Sequence, residues 1–296
     1  MNSKYEINTK ENREFLKASC EELLNFGHRF PSPNGGSYYL GDDGTPWKDR
    51  NRETWITCRM AHVYSLGLML GHEGSGELAD AALKGLKGEL HDEKNGGWYA
   101  GVTPEGDIVP NKQCYAHAFV ILAASSALTA GRPGAKELLE EALAVYDRHF
   151  WNEEEGLACD TWNTEFTVLD DYWGLNANMH TVEAFLAAGD VTGDKKYHIR
   201  AGRIIDHVIQ WAEDNSWRIP EHFTKEWVAD LDCNRDRPDD PFKPYGATPG
   251  HGIEWARLIT QWTLANCGEE KEKREKHLQA AENLYTTAIK DGWNAD

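Results

Sequence analysis

His91-Asp92-Glu93-Lys94-Asn95-Gly96-Gly97-Trp98 is a turn-forming segment closed by a tryptophan and set between two stretches of helical periodicity. Asp and Asn bond their own backbone two or three residues on, and paired glycines supply positive φ, so the chain must turn there. Trp151-Asn152-Glu153-Glu154-Glu155-Gly156 and Asn215-Ser216-Trp217 punctuate the chain in the same way. The spacing, on the order of 60 residues, reads as a helix hairpin plus a Trp-bearing loop, copied along the chain.

Between these marks, apolar residues recur at helical spacing. Ala61, Tyr64, Leu68 and Leu70 predict one helix over 57–70. Leu138, Leu139, Ala142, Val145, Tyr146 and Phe150 predict another over 137–150. Ile204, Ile205, Val208 and Ile209 place a third within 197–212, and Leu278, Ala281, Leu284, Tyr285 and Ile289 a fourth near the end. Strand-like signals are short and fall between helix pairs, at 96–102 and 156–162. The class is all-α with short β-hairpin loops. Stacked helix hairpins form either an open solenoid or a closed ring of inner and outer helices. Starts of alternate helices near 55, 113, 177 and 251 carry the chemistry-bearing residues, which favours a ring with a central cup.

The chain has 296 residues, with 31 Lys+Arg against 49 Asp+Glu and a net charge of -18. Such a surface repels phosphate backbones and anionic bilayers, which argues against nucleic acid or membrane as partners. Twelve Trp, eleven Tyr and nine Phe supply rings that could pack on the apolar faces of sugars. The N-terminus lacks the apolar core of a signal peptide, and the run 116–130 is too short and too rich in Ser and Thr to span a bilayer. Six dispersed cysteines without a CxxC read as buried thiols of a reduced, cytoplasmic protein. Homo-oligomerisation is compatible with all of this.

Two segments carry the chemistry. Asn176-Ala-Asn-Met-His180-Thr-Val-Glu183 and Gly246-Ala-Thr-Pro-Gly-His251-Gly-Ile-Glu254 each place a histidine at an expected helix start with a glutamate three residues later. Side chains at i,i+3 share a helix face. Histidine titrates nearest working pH, and a carboxylate beside it orients and tunes the ring, so the pairs point to proton transfer. A metal site is the local rival, but the usual carboxylate order there is Glu-x-x-His, the reverse of both pairs. Glycoside hydrolysis needs an opposed carboxylate pair. Glu183 and Glu254 are each tied to a histidine and Asp170-Asp171 lies in a loop. The expectation is therefore no metal and no cofactor.

Trp55-Ile-Thr-Cys-Arg-Met60, Gly96-Gly-Trp-Tyr99, 176–185 and Thr248-Pro-Gly-His-Gly-Ile-Glu-Trp-Ala-Arg257 together resemble the N-acylglucosamine 2-epimerase superfamily. The nearest likeness is to its aldose–ketose isomerase branch, acting on mannose or sulfoquinovose, and it extends from about residue 12 to 293. The resemblance implies an (α/α)6 barrel and metal-independent isomerisation of a monosaccharide through an enediol or enediolate. It implies that Arg59, Tyr115, Asn176 and His180 hold sugar hydroxyls or the reacting oxygens, with Trp55 and Glu183 beside them. It also implies that His251 is an acid/base histidine with Glu254 as its carboxylate partner. His117 falls behind this layer. The family's second principal histidine lies beyond Asp296, so the expectation is one α/α-barrel domain over 1–296, short of its last inner helices.

In such a cup, His251 with Glu254 would serve ring opening, while His180 and Arg59 polarise the C1 and C2 oxygens and Asn176 and Tyr115 orient the sugar. Lys243, in Pro241-Phe242-Lys243-Pro244-Tyr245, and Arg59 are the candidate cations for a sulfonate. The competing readings are a sugar 2-epimerase, which returns the proton to C2 rather than C1, and a non-catalytic protein that keeps a sugar-shaped surface.

Overall fold

The computed structural model describes residues 3–240 and 243–294. Of the residues named above, Pro241, Phe242 and Asp296 lie outside the described residues.

Helices carry the described fold: α1 (Lys10–Gly27), α2 (Thr54–Met69), α3 (Ser75–Leu86), α4 (Cys114–Thr129), α5 (Ala135–His149), α6 (Leu175–Thr192), α7 (Lys195–Asp214), α8 (Pro249–Asn266) and α9 (Lys271–Gly292). The strands are only two or three residues long: β1 (Tyr39–Leu40), β2 (Pro46–Trp47), β3 (Arg52–Glu53), β4 (Gly101–Val102), β5 (Ile108–Val109), β6 (Asn111–Gln113), β7 (Trp151–Asn152), β8 (Leu157–Ala158), β9 (Thr161–Asn163), β10 (Tyr172–Gly174) and β11 (His222–Thr224). Helix starts expected near 55, 113, 177 and 251 fall at 54, 114, 175 and 249. His180 is five residues into α6, so that pair sits in the second turn and not at the very start.

The helices alternate in character for a physical reason. α6 buries residues all round, as a helix covered on every side must, whereas α7 buries one stripe, Ala201, Ile204, Ile205, Val208 and Ile209, and turns charges outward. Asp194 caps α7 by accepting the Lys196 amide at 3.0 Å, and Thr9 caps α1 by accepting that of Asn12 at 3.0 Å.

The repeat inferred from the turn segments is explicit in the backbone. A short strand precedes each of α2, α4 and α6 and pairs antiparallel with a strand that follows the next helix: β3 with β4, β6 with β9, β10 with β11. The first helical amide then bonds a carbonyl on that later segment: Thr54 to Ala100 at 3.0 Å, Cys114 to Asp160 at 2.8 Å, Leu175 to Glu221 at 3.0 Å. Ala100, Asp160 and Glu221 are thus equivalent positions of the repeat. The turn loops repeat too. Asp92 Oδ1 accepts the amides of Lys94 and Asn95, as Asn152 Oδ1 accepts those of Glu154 and Glu155.

Backbone contacts divide the chain into two compact units, residues 1–110 with 123–140, and 111–122 with 141–296. In the first unit α2 and α3 form a hairpin and Tyr64 stacks on Phe30, its hydroxyl donating to the Leu24 carbonyl at 2.7 Å. A Cβ at Gly85 would lie 2.3 Å from the Gly36 amide nitrogen, so only glycine allows the 32–37 turn to lie on α3. In the second unit α6 packs on α7 and α8 on α9, around Tyr146, Phe150, Phe185 and Trp255. Trp262 Nε1 donates to the His198 carbonyl at 2.7 Å, and its ring covers Gly202, where a Cβ would approach to 2.3 Å. His277 is buried and bonds Asp206 at 2.9 Å and Thr263 at 3.3 Å, fastening α9 to α7 and α8.

The described cysteines are free; Cys58, Cys114, Cys159 and Cys267 are buried, Cys20 and Cys233 half-buried. Burial pushes the Cys58 and Cys114 thiols well up and that of Cys159 to about 12, which suits packing and not nucleophilic attack. No described helix is long and apolar enough to cross a membrane.

Candidate functional site

In the second unit the start of α8 and the second turn of α6 gather four of the expected side chains. His180 Nδ1 lies 3.2 Å from Glu183 Oε2, the i,i+3 contact expected from the sequence. A carboxylate only accepts, so Nδ1 carries the proton and Nε2 is the atom left to meet a substrate. The His180 ring is buried against Phe119, 4.5 Å between centroids, and stands edge-on to Tyr115 at 5.1 Å. Phe119 was not singled out from sequence, since an aromatic in an apolar helix carries no distinguishing signal.

Glu183 has a second partner. Arg257 Nη2 donates to its Oε1 at 2.9 Å. Burial pushes the Glu183 carboxyl up, but the His180 bond and the charges of His180 and Arg257 outweigh it and bring the pKa down to about 2. Glu183 is therefore ionised throughout the working range and holds its two partners in place.

His251 is the third residue of α8, and Pro249 at the helix start has no amide to satisfy. Its carboxylate partner is Glu221, with Nδ1 to Oε2 at 2.8 Å, and not Glu254 as the sequence reading expected. The reason lies in helix geometry. His251 and Glu254 share a face, but the repeat places the carboxylate of residue 221 directly at the N-terminus of α8. Glu221 is buried, and its Oε1 accepts the Thr248 amide at 3.1 Å. Burial alone would push the His251 ring down; the bond to Glu221 and the charges of Glu221 and Glu254 outweigh it and raise its pKa. Glu221 was missed because it sits in a loop, 30 residues before its partner; the signal available was its alignment with Asp160 in the repeat.

Glu254 turns towards the other pair. One ligand atom each of His180, Glu183 and Glu254 lie within 4.8 Å of one another, the one such group found among the described residues that could hold a cation. Arg257 already occupies Glu183 there, and His180 uses Nδ1 on the same carboxylate. The trio suits hydrogen bonding to several hydroxyls as well as it suits an ion.

Asn176 opens the same helix. Its Oδ1 is buried without a hydrogen-bond partner, a costly condition that a ligand's hydroxyl would relieve. Asn178, two residues on, is structural: it bonds both the amide and the carbonyl of Ala158 at 2.9 Å. His117 is buried, donates from Nδ1 to the Gln113 carbonyl at 2.7 Å and packs on Phe150. Burial, with the Lys112 and His149 charges, holds its pKa down to about 3 against the pull of that bond. It is a neutral packing residue.

Lys243 Nζ stands 3.5 Å from the Tyr172 ring centroid, and its carbonyl accepts from Asn234 at 2.7 Å. His222 links the same loop to β10, accepting from Tyr172 at 2.8 Å and donating to the Pro244 carbonyl at 2.7 Å. In the first unit, Trp55 and Arg59 both lie on the first turns of α2. Arg59 is exposed, with its guanidinium 5.3 Å from the Trp55 ring centroid; Trp55 donates to Glu53, which also accepts from Tyr39 at 2.9 Å.

The D-mannose isomerase of Thermobifida fusca is 40% identical to this chain over 286 residues, 96% of this chain and 69% of that protein. A crystal structure of a D-mannose isomerase superposes with a TM-score of 0.88 at 28% identity, covering 98% of this chain and 73% of that one. The cellobiose 2-epimerase of Spirochaeta thermophila follows at a TM-score of 0.78 and 18% identity, covering 96% and 73%, a likeness of fold. The scaffold is a helical barrel, and these likenesses mark the chain as an enzyme with isomerase activity. It matches the N-acylglucosamine 2-epimerase (GlcNAc 2-epimerase) family over residues 35–296. The chain belongs to that family.

Proposed function

We propose that this protein interconverts an aldose and its ketose, with D-mannose and D-fructose as the pair, by histidine acid/base proton transfer. The observation that carries the reading is the pair of oriented histidines, His251 on Glu221 and His180 on Glu183, each with Nδ1 engaged by a carboxylate. The relatives named D-mannose isomerase support the choice of sugar.

The chemistry runs as follows. His251 Nε2 opens the pyranose by proton exchange and then takes the proton from C2 of the open-chain aldose. The C2–H electron pair forms the C1=C2 bond while the carbonyl oxygen at C1 gains negative charge, giving the enediolate. His180, donating from Nε2 when protonated, stabilises that oxygen. A proton then passes from O2 to O1 through His180 Nε2, and His251 returns to C1 the proton it took from C2 as the C2=O bond forms, which completes the ketose. Asn176 Oδ1 and Tyr115 hold hydroxyls, with Glu254 as an acceptor beside His180.

Mannose is favoured over sulfoquinovose because Lys243, one cation considered for a sulfonate, is already seated on Tyr172. The test is proton NMR of the protein with mannose, sulfoquinovose, glucose and cellobiose in heavy water. Loss of the mannose C2 proton with fructose appearing supports the proposal. Exchange yielding only the C2 epimer would reassign the chain as an epimerase, and no exchange with any sugar would leave a non-catalytic protein.

A further inference from the structure

The repeat places a carboxylate at two equivalent positions and uses them differently. Asp160, in the segment before β9, accepts the Gly174 amide on Oδ2 at 2.8 Å, at the entry to α6, and the Thr161 hydroxyl on Oδ1 at 2.8 Å. Glu221, one repeat later, accepts the corresponding amide of Thr248 at the entry to α8. Capping the next helix therefore needs only an aspartate. The extra methylene of Glu221 carries its second oxygen onward, to 2.8 Å from His251 Nδ1.

We propose that Glu221 is the positioning residue of the reaction: one oxygen seats the start of α8 and the other fixes His251 as its Nδ1–H tautomer, so that Nε2 meets the sugar as the base. The assignment rests on the isomerase reading for its consequence in turnover, but not for the tautomer itself. The charged groups acting on the ring are Glu221, from the segment before β11, and Glu254 on α8. A glutamine at 221 can still accept the Thr248 amide through its oxygen. Its amide nitrogen then faces Nδ1 as a donor, so Nδ1 must become the acceptor and the proton must move to Nε2. Shape and cap survive while the base is removed.

The experiment is long-range proton–nitrogen NMR of His251 across a pH titration, in the full chain and in Glu221→Gln, with mannose turnover measured on the same samples. The expected result is Nδ1–H in the neutral ring of the parent protein, Nε2–H and a lower titration midpoint in Glu221→Gln, and turnover reduced by about 10²–10⁴-fold with KM changed little. Circular dichroism confirms that the variant folds. Nε2–H in the parent protein overturns the proposal without any variant, and an unchanged tautomer and midpoint in folded Glu221→Gln does the same. A parent protein showing Nδ1–H but no mannose turnover sinks the isomerase reading while leaving the role of Glu221 towards His251 intact.

Discussion

Glu183 and Arg257 are 74 residues apart in sequence and 2.9 Å apart in the fold, and the same carboxylate also receives His180. One half-buried anion thus joins α6 to α8 and fixes the orientation of the His180 ring.

That anion makes the protein acid-sensitive in a defined window. With its pKa brought from 4.5 to about 2 on folding, Glu183 contributes stability that is fully present above about pH 4.5 and lost as pH falls towards 2. Glu183→Gln should flatten the stability–pH curve there and destabilise the neutral-pH protein by roughly 2 kcal/mol, allowing for partial screening of Arg257. Urea denaturation followed by circular dichroism at stepped pH checks it; an unaltered curve means the carboxylate is not held as described.

His117 should stay neutral wherever the enzyme is active. Its ring resonances are expected to be flat between pH 5 and 8, whereas those of His251 move, because the first pKa is held near 3 and the second raised. The unfolded chain binds a proton below about pH 6.5 that the folded ring refuses until about 3, so His117 removes stability as pH falls through that range. A His117 resonance titrating near neutrality would contradict its burial.

Asn176→Ala should raise KM for mannose about 3- to 10-fold with little loss of kcat, the worth of one neutral hydrogen bond. Binding measured by calorimetry is the check. Removing a buried acceptor that bonds nothing in the protein should not lower the melting temperature, and a marked drop would assign the side chain to structure.

Gly202→Ala should cost about 1–3 kcal/mol, because the added methyl meets the Trp262 ring. The melting curve reports it, along with a change in tryptophan fluorescence. An unchanged melting temperature would mean that α7 and α8 lie further apart.

Turnover should survive dialysis against a chelator, since the proposed mechanism moves protons between histidines and sugar and Arg257 neutralises Glu183 within the trio. Activity abolished by chelation and restored by one divalent ion would replace the acid/base reading with a metal-assisted one.

The helices and their spacing were readable because each depends on residues within a turn or two of one another. The turns at 91–98 and 151–156 were readable because Asp92 and Asn152 bond amides two and three residues on. The pair His180–Glu183 followed from helix geometry alone. The partner of His251 did not. Two carboxylates compete for it, and the same i,i+3 rule that paired His180 with Glu183 pointed to Glu254. The structure gives His251 to Glu221 because the short strand β11 pairs with β10 and sets residue 221 at the entry to α8. Local periodicity encodes which residues face inward along one helix. Which carboxylate reaches a ring from another segment depends on strand register and helix packing, and these are fixed only when segments distant in sequence come together.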